Sequence, residues 1–482
     1  YHITVRPNIL ERWVYFIDAH SGSVINKYNH TCTLDGVVTA SAKDLNGFTK
    51  SFSAIQVGQN YFIIDASKNM YNPQSSLPDQ PKGVIWTIDA QNSTIDQEEM
   101  DLRHVTSTNK NSWNATAVSA HTNASFCYDY YLSKFNRNSL NGSKGNIISV
   151  INITDEDGKG MDNAYWNGQF MGYGNGKDGF KPLAGALDVA GHEMTHGVIE
   201  NTAKLEYRNQ SGALNESFAD IFGALIDRDD WTLGEDVVKL NVFPSGALRS
   251  LENPNQGGKN DNGYQPKNMS QYQFLKDTPS EDNGGVHVNS GIPNHAFYKF
   301  ATGAGMNKDK AERVYWRAMT TYLTRTSKFA DLRVAVIQSA KDIYAEGQET
   351  AAARAAFDFV GLTDGTGTTN STGTGNTSTE NTIPTNPGTE SLIAFDPTDN
   401  SLYSGPLTGN SFTKISNGLG CLGKPSVTDD CSFVYFVGKD FNIYRVDLAK
   451  NTAPQKLSND PAWRNVAVSK DGKQLAALAS KN

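Results

Sequence analysis

Residues 187–201 read LDVAGHEMTHGVIEN and contain the pattern His-Glu-x-x-His. The apolar spacing predicts a helix here, because Met194 and Val198 would share one face. His192 and His196 are four residues apart, so both imidazoles would project from one side of that helix. Zinc takes nitrogen ligands at about 2.0–2.1 Å, and two imidazoles on one rigid element suit it. Taken alone, the pattern also fits an ordinary helix with two surface histidines.

A second segment supplies the other parts of a catalytic metal site. Residues 207–223, YRNQSGALNESFADIFG, have the apolar spacing of another helix. Glu216 follows His196 after nineteen residues, enough for a turn and a return to the metal. A carboxylate as third ligand leaves the fourth zinc position open for water. Glu193 could accept a proton from that water, and Asp220, one turn beyond Glu216, could hold a ligand histidine through its other N–H. The alternative for this helix is two solvated acids.

Two further segments complete an ordered set of motifs, residues 161–168, MDNAYWNG, and residues 283–291, NGGVHVNSG. With these motifs, residues 31–362 resemble the thermolysin-like neutral zinc metalloproteases of the gluzincin group. The resemblance implies an α+β fold with a strand-rich N-terminal lobe, a helical C-terminal lobe and the zinc helix between them. Residues 1–30 resemble the end of the inhibitory propeptide of such zymogens, so the mature chain would begin near residues 29–31.

The catalytic roles of the family fall on this sequence residue by residue. The resemblance implies a secreted zinc-dependent endopeptidase, in which a water activated by Glu193 hydrolyses the peptide bond. Tyr207 and His287 match the two side chains that stabilise the oxyanion, and neither is a metal ligand. Asp282 matches the carboxylate that orients His287 and favours its protonated form. Without the surrounding motif, a lone histidine in a glycine-rich loop would be interpreted as structural or solvated.

The resemblance also assigns substrate-binding residues. Asn163 and Ala164, followed by Tyr165, match the edge strand that binds the substrate backbone by strand addition. Arg249 matches an arginine that binds a substrate carbonyl. The residues that match an apolar pocket are Phe180, Val189, Leu233 and Leu248. This pocket implies a preference for a large apolar residue after the scissile bond, whereas plain core packing is the alternative for its four residues.

Acidic residues cluster between positions 227 and 236, and calcium takes about six to eight oxygen ligands. The resemblance implies a calcium site here, and the residues on ligand positions are Asp188, Asp227, Asp230 and Glu235. Because the loop between Asp227 and Asp230 is shorter than in thermolysin, one structural ion is expected rather than two. A solvated acidic turn is the alternative.

Composition divides the rest of the chain. With 482 residues and a net charge of −8, the sequence predicts about two to four domains and no dedicated nucleic-acid interface. No apolar run is long enough to predict a membrane span. Residues 31–186 are rich in strand patterns and residues 187–362 in helical ones, an order typical of an α+β fold. Residues 363–391 are almost all Thr, Gly, Asn, Ser and Pro, which predicts a flexible linker.

The tail, residues 392–482, carries a weak repeat. Residues 425–437 align with residues 466–478, and Asp430 stands opposite Asp471, 41 residues later. A strand–turn–strand unit that recurs every 40–45 residues or so is typical of propeller blades. So few repeats cannot close a propeller, and the sequence does not begin with Met, so a fragment of a longer precursor is expected.

The four cysteines allow two interpretations. Cys32 with Cys127, and Cys421 with Cys431, could form two local disulfides in an extracellular protein. Four buried free thiols are the alternative.

Two other functions compete with the endopeptidase. A zinc aminopeptidase also has a glutamate after His-Glu-x-x-His, but it uses a shorter gap and an exopeptidase motif that this sequence lacks. A catalytically silent binding or adhesion protein with a propeller tail would have lost a catalytic residue, whereas Glu193, Tyr207 and His287 are all present. The expected partners are protein or peptide substrates and the chain's own propeptide, and the expected state is a monomer.

Overall fold

The computed structural model describes residues 1–8, 11–29, 35–94, 100–363, 391–406, 411–428, 432–448, 450, 453–469, 472 and 474–480. The chain divides into two compact units, Tyr1–Thr369 and Asn370–Asn482. Most of the predicted linker, residues 363–391, lies outside the described residues. Within the described ranges, no helix is long and apolar enough to cross a membrane.

Three strands near the start of the chain form an antiparallel sheet. They are β1 (His2–Asn8), β2 (Glu11–Ile17) and β3 (Val24–Asn29), in the order β1-β2-β3. A turn follows β2, where the Asp18 carboxylate accepts hydrogen bonds from the backbone N–H groups of His20 and Ser21. Strands β2 and β3 therefore form a hairpin. The predicted processing junction at residues 29–31 lies mostly outside the described residues.

The strand-rich lobe contains two sheets. Its strands are β4 (Gly36–Lys43), β5 (Thr49–Val57), β6 (Asn60–Phe62), β7 (Ile64–Asp65), β8 (Ile85–Asp89), β9 (Arg103–His104), β10 (Thr106–Ser107), β11 (Ile147–Ile153), β12 (Ala164–Trp166) and β13 (Met171–Gly174). One sheet has the order β10-β6-β5-β4, and the other has the order β12-β13-β11-β8-β7 with β9 paired to β8. Strand β12 is antiparallel to β13 and lies at the edge of its sheet. An edge strand presents unpaired backbone groups, which strand addition by a substrate requires.

Helix α1 (Ala115–Phe135) belongs to the same lobe. The Asn114 side chain caps its N-terminus by accepting a hydrogen bond from the Ala117 N–H. The buried face of α1 is part of the main hydrophobic core, which continues into the second lobe. The two lobes therefore share one core.

The second lobe is mostly helical, and the predicted α+β class is confirmed. Its elements are α2 (Leu187–Glu200), α3 (Asn209–Asp227), β14 (Thr232–Leu233), β15 (Arg249–Ser250), α4 (Asp282–Asn289), α5 (Gly291–Ala301), α6 (Lys308–Arg317), α7 (Phe329–Tyr344) and α8 (Gln348–Phe359). The segment that begins at Lys308 is not one uniform helix. It ends as an α-helix at Arg317 and continues as a π-helical turn, Ala318–Tyr322.

Helices α2 and α3 approach each other so closely that glycine is needed between them. A Cβ on Gly223 would lie 2.7 Å from the backbone oxygen of Asp188. A Cβ on Gly191 would lie 3.2 Å from the Cα of Gly223. The apolar residues predicted for the buried face of α3 are all fully buried: Leu214, Phe218, Ile221 and Leu225. This contact brings the predicted ligands on α2 against those on α3.

The second unit is all β. Its strands are β16 (Ser391–Asp396), β17 (Ser401–Pro406), β18 (Thr413–Lys414), β19 (Ser426–Val427), β20 (Phe433–Val437), β21 (Ile443–Asp447), β22 (Gln455–Lys456), β23 (Trp463–Val468) and β24 (Leu475–Ala479). They form antiparallel sheets in the orders β16-β17-β18, β19-β20-β21-β22 and β23-β24. The four-stranded sheet has the form of one propeller blade. The propeller itself stays a prediction, and Asp430 and Asp471 lie outside the described residues.

Candidate metal centre and cleft

Three predicted ligands converge where α2 meets α3. The Nε2 atoms of His192 and His196 lie 3.0 Å apart. Glu216 places Oε2 at 3.5 Å from His192 Nε2 and Oε1 at 3.4 Å from His196 Nε2. The Glu216 side chain is 1% exposed and the two histidine side chains about 11–12%. The spacing of four residues on one helix and the return on the next therefore produce the predicted cluster.

The donor set fits a metal ion. Ligands held at about 2.0–2.1 Å in a tetrahedron lie roughly 3.3–3.4 Å from one another, close to the separations observed. Glu216 Oε2 is buried and has no hydrogen-bond partner among the described residues. A buried carboxylate oxygen without a donor is costly unless a cation neutralises it. These three residues are therefore a group that could hold one metal ion.

Each histidine is also held on its other side. The Nδ1 atom of His192 lies 2.9 Å from Asp220 Oδ1, as predicted. The Nδ1 atom of His196 lies 2.8 Å from Asn215 Oδ1, and the Asn215 amide also donates to the Leu205 carbonyl at 3.0 Å. A partner of this kind fixes the ring orientation and tautomer of a ligand histidine. Sequence reasoning missed Asn215, whose position beside Glu216 was the available signal.

Asp220 is itself anchored by two donors. Its Oδ1 accepts a hydrogen bond from Arg249 Nη1 at 2.7 Å, and its Oδ2 accepts one from Asn294 Nδ2 at 2.8 Å. Arg249 Nη2 lies 3.6 Å from Glu216 Oε2. The predicted contact of Arg249 with a substrate carbonyl stays a prediction. In the structure the Arg249 guanidinium also compensates the negative charge of two buried carboxylates, Asp220 and Glu216.

Glu193 lies between the two histidines in sequence and is 5% exposed. Burial disfavours its charged form and raises the pKa of its carboxyl to about 7, although the neighbouring His192 opposes this shift. Glu216 behaves differently. Burial raises its pKa too, but the surrounding His287, His196 and Arg249 outweigh burial and hold the pKa well below its usual range. The surroundings therefore raise the pKa of Glu193 and lower that of Glu216.

Tyr207 and His287 meet at the edge of the same cluster. The Tyr207 hydroxyl donates to Glu216 Oε1 and lies 2.9 Å from His287 Nε2. His287 Nδ1 lies 2.6 Å from Asp282 Oδ1. Because both ring nitrogens face acceptors, the protonated imidazole fits this arrangement. Burial opposes the charge, but Glu216 and Asp282 raise the pKa of His287.

The backbone conformation before His287 explains how a short segment places this side chain beside Glu216 and Tyr207. Asp282, Asn283, Gly284 and Gly285 all have φ between 47° and 87°. Four consecutive left-handed residues suit glycine and, next best, Asn and Asp. A Cβ on Gly284 would lie 2.3 Å from Asn209 Oδ1, so the loop also packs closely on the start of α3. The glycines in this motif are therefore a conformational requirement.

The predicted substrate-binding residues line one cleft with the metal ligands. The cleft has a volume of about 960 Å³. Its predicted lining residues include Asn163, Ala164, Tyr165, Phe180, Val189, Leu233, Leu248 and Arg249. Phe243 and Leu183 also line it and were not predicted, since neither belongs to a motif. Phe243 packs against Phe180 with ring centroids 5.0 Å apart.

The predicted calcium residues lie away from His192, His196 and Glu216, near the start of α2 and the end of α3. Asp188, Asp227 and Glu235 form a second group that could hold a metal ion. Burial and the neighbouring Glu235 and Asp227 raise the pKa of Asp188 well above its usual value. Asp230 is not in this group, and its carboxylate accepts hydrogen bonds from Thr232 N and Oγ1.

The two described cysteines, Cys127 and Cys421, form no disulfide with a described residue. Cys127 is fully buried in the main core, and burial raises the pKa of its thiol. The Cys421 thiol donates to the Gly423 carbonyl at 2.8 Å. Cys32 and Cys431 lie outside the described residues, so neither predicted disulfide is tested.

Comparison with known proteins agrees with this architecture. Residues 39–200 match the thermolysin metallopeptidase catalytic domain, and residues 203–362 match the thermolysin metallopeptidase alpha-helical domain. A two-lobed body with this donor set defines a metallopeptidase fold. Neutral protease NprE of Bacillus pumilus is 41% identical over 327 residues, which cover 67% of this chain and 99% of that protein. The chain belongs to the thermolysin metallopeptidase family.

Two further relatives define the extent of the match. Bacillolysin of Bacillus amyloliquefaciens is 40% identical over 370 residues, which cover 75% of this chain and 64% of that protein. The chain thus spans less than two thirds of the length of that relative. The solved precursor of Protealysin, a metalloproteinase from Serratia proteamaculans, superposes with a TM-score of 0.51 at 30% identity. That match covers 60% of this chain and 90% of the Protealysin chain.

Proposed function

We propose that this chain is a zinc-dependent endopeptidase that prefers a large apolar residue after the scissile bond. One observation carries the proposal. The ligand group of His192, His196 and Glu216 faces the same cleft as Glu193 and the Tyr207–His287 pair. A metal site, a buried carboxyl and paired proton donors in one cleft are the parts that peptide hydrolysis needs.

Each group has a chemical role in the proposed reaction. A zinc ion bound here supplies Lewis-acid chemistry, polarising a peptide carbonyl and making a water more acidic. Glu193 accepts a proton from the attacking water and passes it to the nitrogen of the leaving amine. Tyr207 and His287 donate hydrogen bonds to the oxygen of the former carbonyl as negative charge develops on it. The carbonyl carbon gains the hydroxyl group and the C–N bond breaks.

The cleft supports the proposed mode of substrate binding. Strand β12 is an edge strand, so an extended peptide can add to it through backbone hydrogen bonds. The residue after the scissile bond would enter the apolar pocket lined by Phe180, Val189, Leu233 and Leu248. Backbone contacts would supply affinity for many sequences, and the pocket would supply the selection.

The remaining parts of the proposal concern organisation. One calcium ion would bind at Asp188, Asp227 and Glu235 and would stabilise the contact of α2 with α3. Residues 1–30 would be the end of a propeptide, residues 31–186 and 187–362 the two lobes, residues 363–391 a linker and residues 392–482 a repeat domain. The enzyme would act outside the cell on protein or peptide substrates as a monomer. The similarity to bacillolysin and to neutral protease NprE supports the proposed action on protein substrates.

Casein digestion by the purified chain, with and without a zinc chelator, tests the proposed function. The decisive variant is Glu193→Gln, which removes the proposed base and leaves the metal ligands intact. Its kcat should fall by about 10²–10⁴-fold, because a positioned general base contributes that much. Zinc content should stay near that of the wild type. Glu156→Gln makes the same change at an exposed glutamate and is the matched control.

Two results would contradict the proposal. Near-wild-type turnover of Glu193→Gln would remove this residue from the mechanism. A zinc-loaded wild-type chain that cleaves neither casein nor short peptides would favour the alternative, a silent binding protein.

A further inference from the structure

Asp162 lies immediately before β12 and lines the cleft. Its carboxylate accepts four backbone hydrogen bonds from a single loop. Oδ1 accepts from the N–H groups of Lys177 at 2.5 Å and Phe180 at 3.2 Å. Oδ2 accepts from those of Asp178 at 2.8 Å and Gly179 at 2.7 Å. Every N–H in this run of four residues therefore points at one side chain.

The charge of Asp162 makes this contact strong. Hydrogen bonds to an ionised acceptor are about twice as strong as those between neutral groups. Burial opposes ionisation, but the four backbone N–H groups outweigh it and lower the pKa of Asp162. The carboxylate therefore stays charged at neutral pH and keeps the loop in place.

The loop that Asp162 holds forms a wall of the apolar pocket. Phe180, at the end of the loop, is 8% exposed and lines the cleft. Its other contacts come from the second lobe: its ring packs on Phe243, and the preceding Gly179 carbonyl accepts a hydrogen bond from Lys239 N at 2.7 Å. The position of Phe180 therefore depends on how the loop is anchored at both sides.

On its other side Asp162 continues directly into the strand proposed to bind the substrate backbone. Pairing between β12 and β13 ends at Ala164 and Tyr173, with one more hydrogen bond from Gly174 N to the Asn163 carbonyl. Beyond that point Gly176 N donates to the Met161 carbonyl at 3.1 Å, and the Asp162 carboxylate adds its four contacts with residues 177–180. One side chain thus links the backbone-binding strand to the pocket wall.

We propose that Asp162 is a positioning residue that sets the spacing between β12 and Phe180 and so sets the selectivity for a large apolar residue after the scissile bond. This inference rests on the proposed endopeptidase function. A substrate held on Asn163 and Ala164 presents its side chain at a fixed distance from β12. Whether a leucine side chain fills the pocket then depends on where Phe180 stands relative to that strand.

The variant Asp162→Asn tests the inference. An amide has the same shape, but its NH2 group would face two backbone donors and lose both hydrogen bonds. The control Asp178→Asn makes the same charge change in the same loop, at an exposed side chain that accepts none of these bonds. The measurement is kcat/KM on two peptides that differ only in leucine or alanine after the scissile bond. The ratio of the two values is independent of the folded fraction of the enzyme.

We expect the leucine-to-alanine ratio to fall at least about fivefold in Asp162→Asn, chiefly through KM for the leucine peptide, because one methylene of pocket fit is worth roughly 10–200-fold. Asp178→Asn should keep the wild-type ratio. In a Phe180→Ala background, Asp162→Asn should change the ratio no further, because the two residues act through one wall. If Asp162→Asn does not fold, Asp162→Glu keeps the charge but displaces the loop, and the ratio should fall there too.

The possible failures can be told apart. A selective wild type with an unchanged ratio in the folded Asp162 variant would overturn the inference alone. So would an effect of Asp162→Asn that persists fully without the Phe180 ring. A wild type that cleaves neither peptide would contradict the proposed function, and the inference would fall with it.

Discussion

The two groups of side chains that could hold a metal ion both involve helices α2 and α3 but differ in charge balance. His192, His196 and Glu216 meet near the middle of α2 and α3, where two imidazoles face one carboxylate. Asp188 and Asp227 lie at the start of α2 and the end of α3. There, only carboxylates meet, and burial together with the acidic neighbours raises the pKa of Asp227 to about 6.

This difference in charge balance gives the two groups different expected roles, one in catalysis and the other in stability. In the first group, imidazoles and Arg249 compensate the buried glutamate in part even without an ion. In the second group, the Val189 and Gly234 N–H groups donate to Asp188, but its pKa stays raised, so a bound cation would relieve the repulsion among the carboxylates. The first ion should therefore matter mainly for catalysis, and the second mainly for folding.

The largest expected effect is that of Glu216→Gln. Losing the charged ligand should remove zinc, and loss of Lewis-acid catalysis worth several kcal/mol corresponds to a fall in activity of about 10³-fold or more. The melting temperature should change far less than the activity. Zinc content by atomic absorption and kcat on a short peptide check this. Retention of a full equivalent of zinc would exclude Glu216 as a ligand.

The second group should respond to calcium through stability. An ion present at about a hundred times its Kd stabilises the folded state by about 2.7 kcal/mol. Denaturant unfolding of the wild type with and without calcium should show a gain of this order, and Asp227→Asn should lose most of it. Asp229→Asn, at the exposed neighbour two positions away, is the matched control. A calcium effect equal in Asp227→Asn and the wild type would refute the assignment.

A smaller effect is expected from Asn215→Ala. The variant keeps all three ligands but frees the His196 ring from its partner. Zinc affinity should fall about 10–100-fold, as is usual when the partner of a ligand histidine is lost. Competition with a chelator measures the affinity. Asn201→Ala, which removes a side chain that bonds only a backbone carbonyl of α2, should leave zinc affinity unchanged.

The smallest effect is predicted for removal of the second unit. Both metal groups lie within Tyr1–Thr369, so a chain that ends at Gly365 should keep its zinc and its kinetics on a short peptide. We expect kcat/KM within about twofold of the full chain. A loss of zinc or of activity after truncation would show that the second unit contributes to zinc binding or to catalysis.

The sequence predicted the groups that depend on local spacing. Helical spacing places His192 and His196 on one face, and the gap after His196 indicated Glu216. The resemblance to the family implied Tyr207 and His287. Asn215 was not predicted, because its contact with His196 depends on how α2 and α3 cross. That crossing is set by close glycine packing, which no periodicity reveals.

Loop conformation explains most of the other differences. Asp230 carries the residue type expected of a calcium ligand, but its carboxylate bonds Thr232 within its own turn. The run 61–64 reads as one strand, yet Phe62 and Ile64 pair in different sheets. Neither outcome follows from residue type or alternation, because both depend on where the chain bends.

The apolar pocket has a consequence for the chain that carries it. An enzyme that selects large apolar residues would find very few in residues 363–391, where Ile383 is the one such side chain. Pro384 follows it and has no N–H to offer an edge strand. Under the proposed specificity, the composition of this segment would protect it from the enzyme's own activity. Such a protease could keep its two units joined through a segment whose residues its own cleft does not accept.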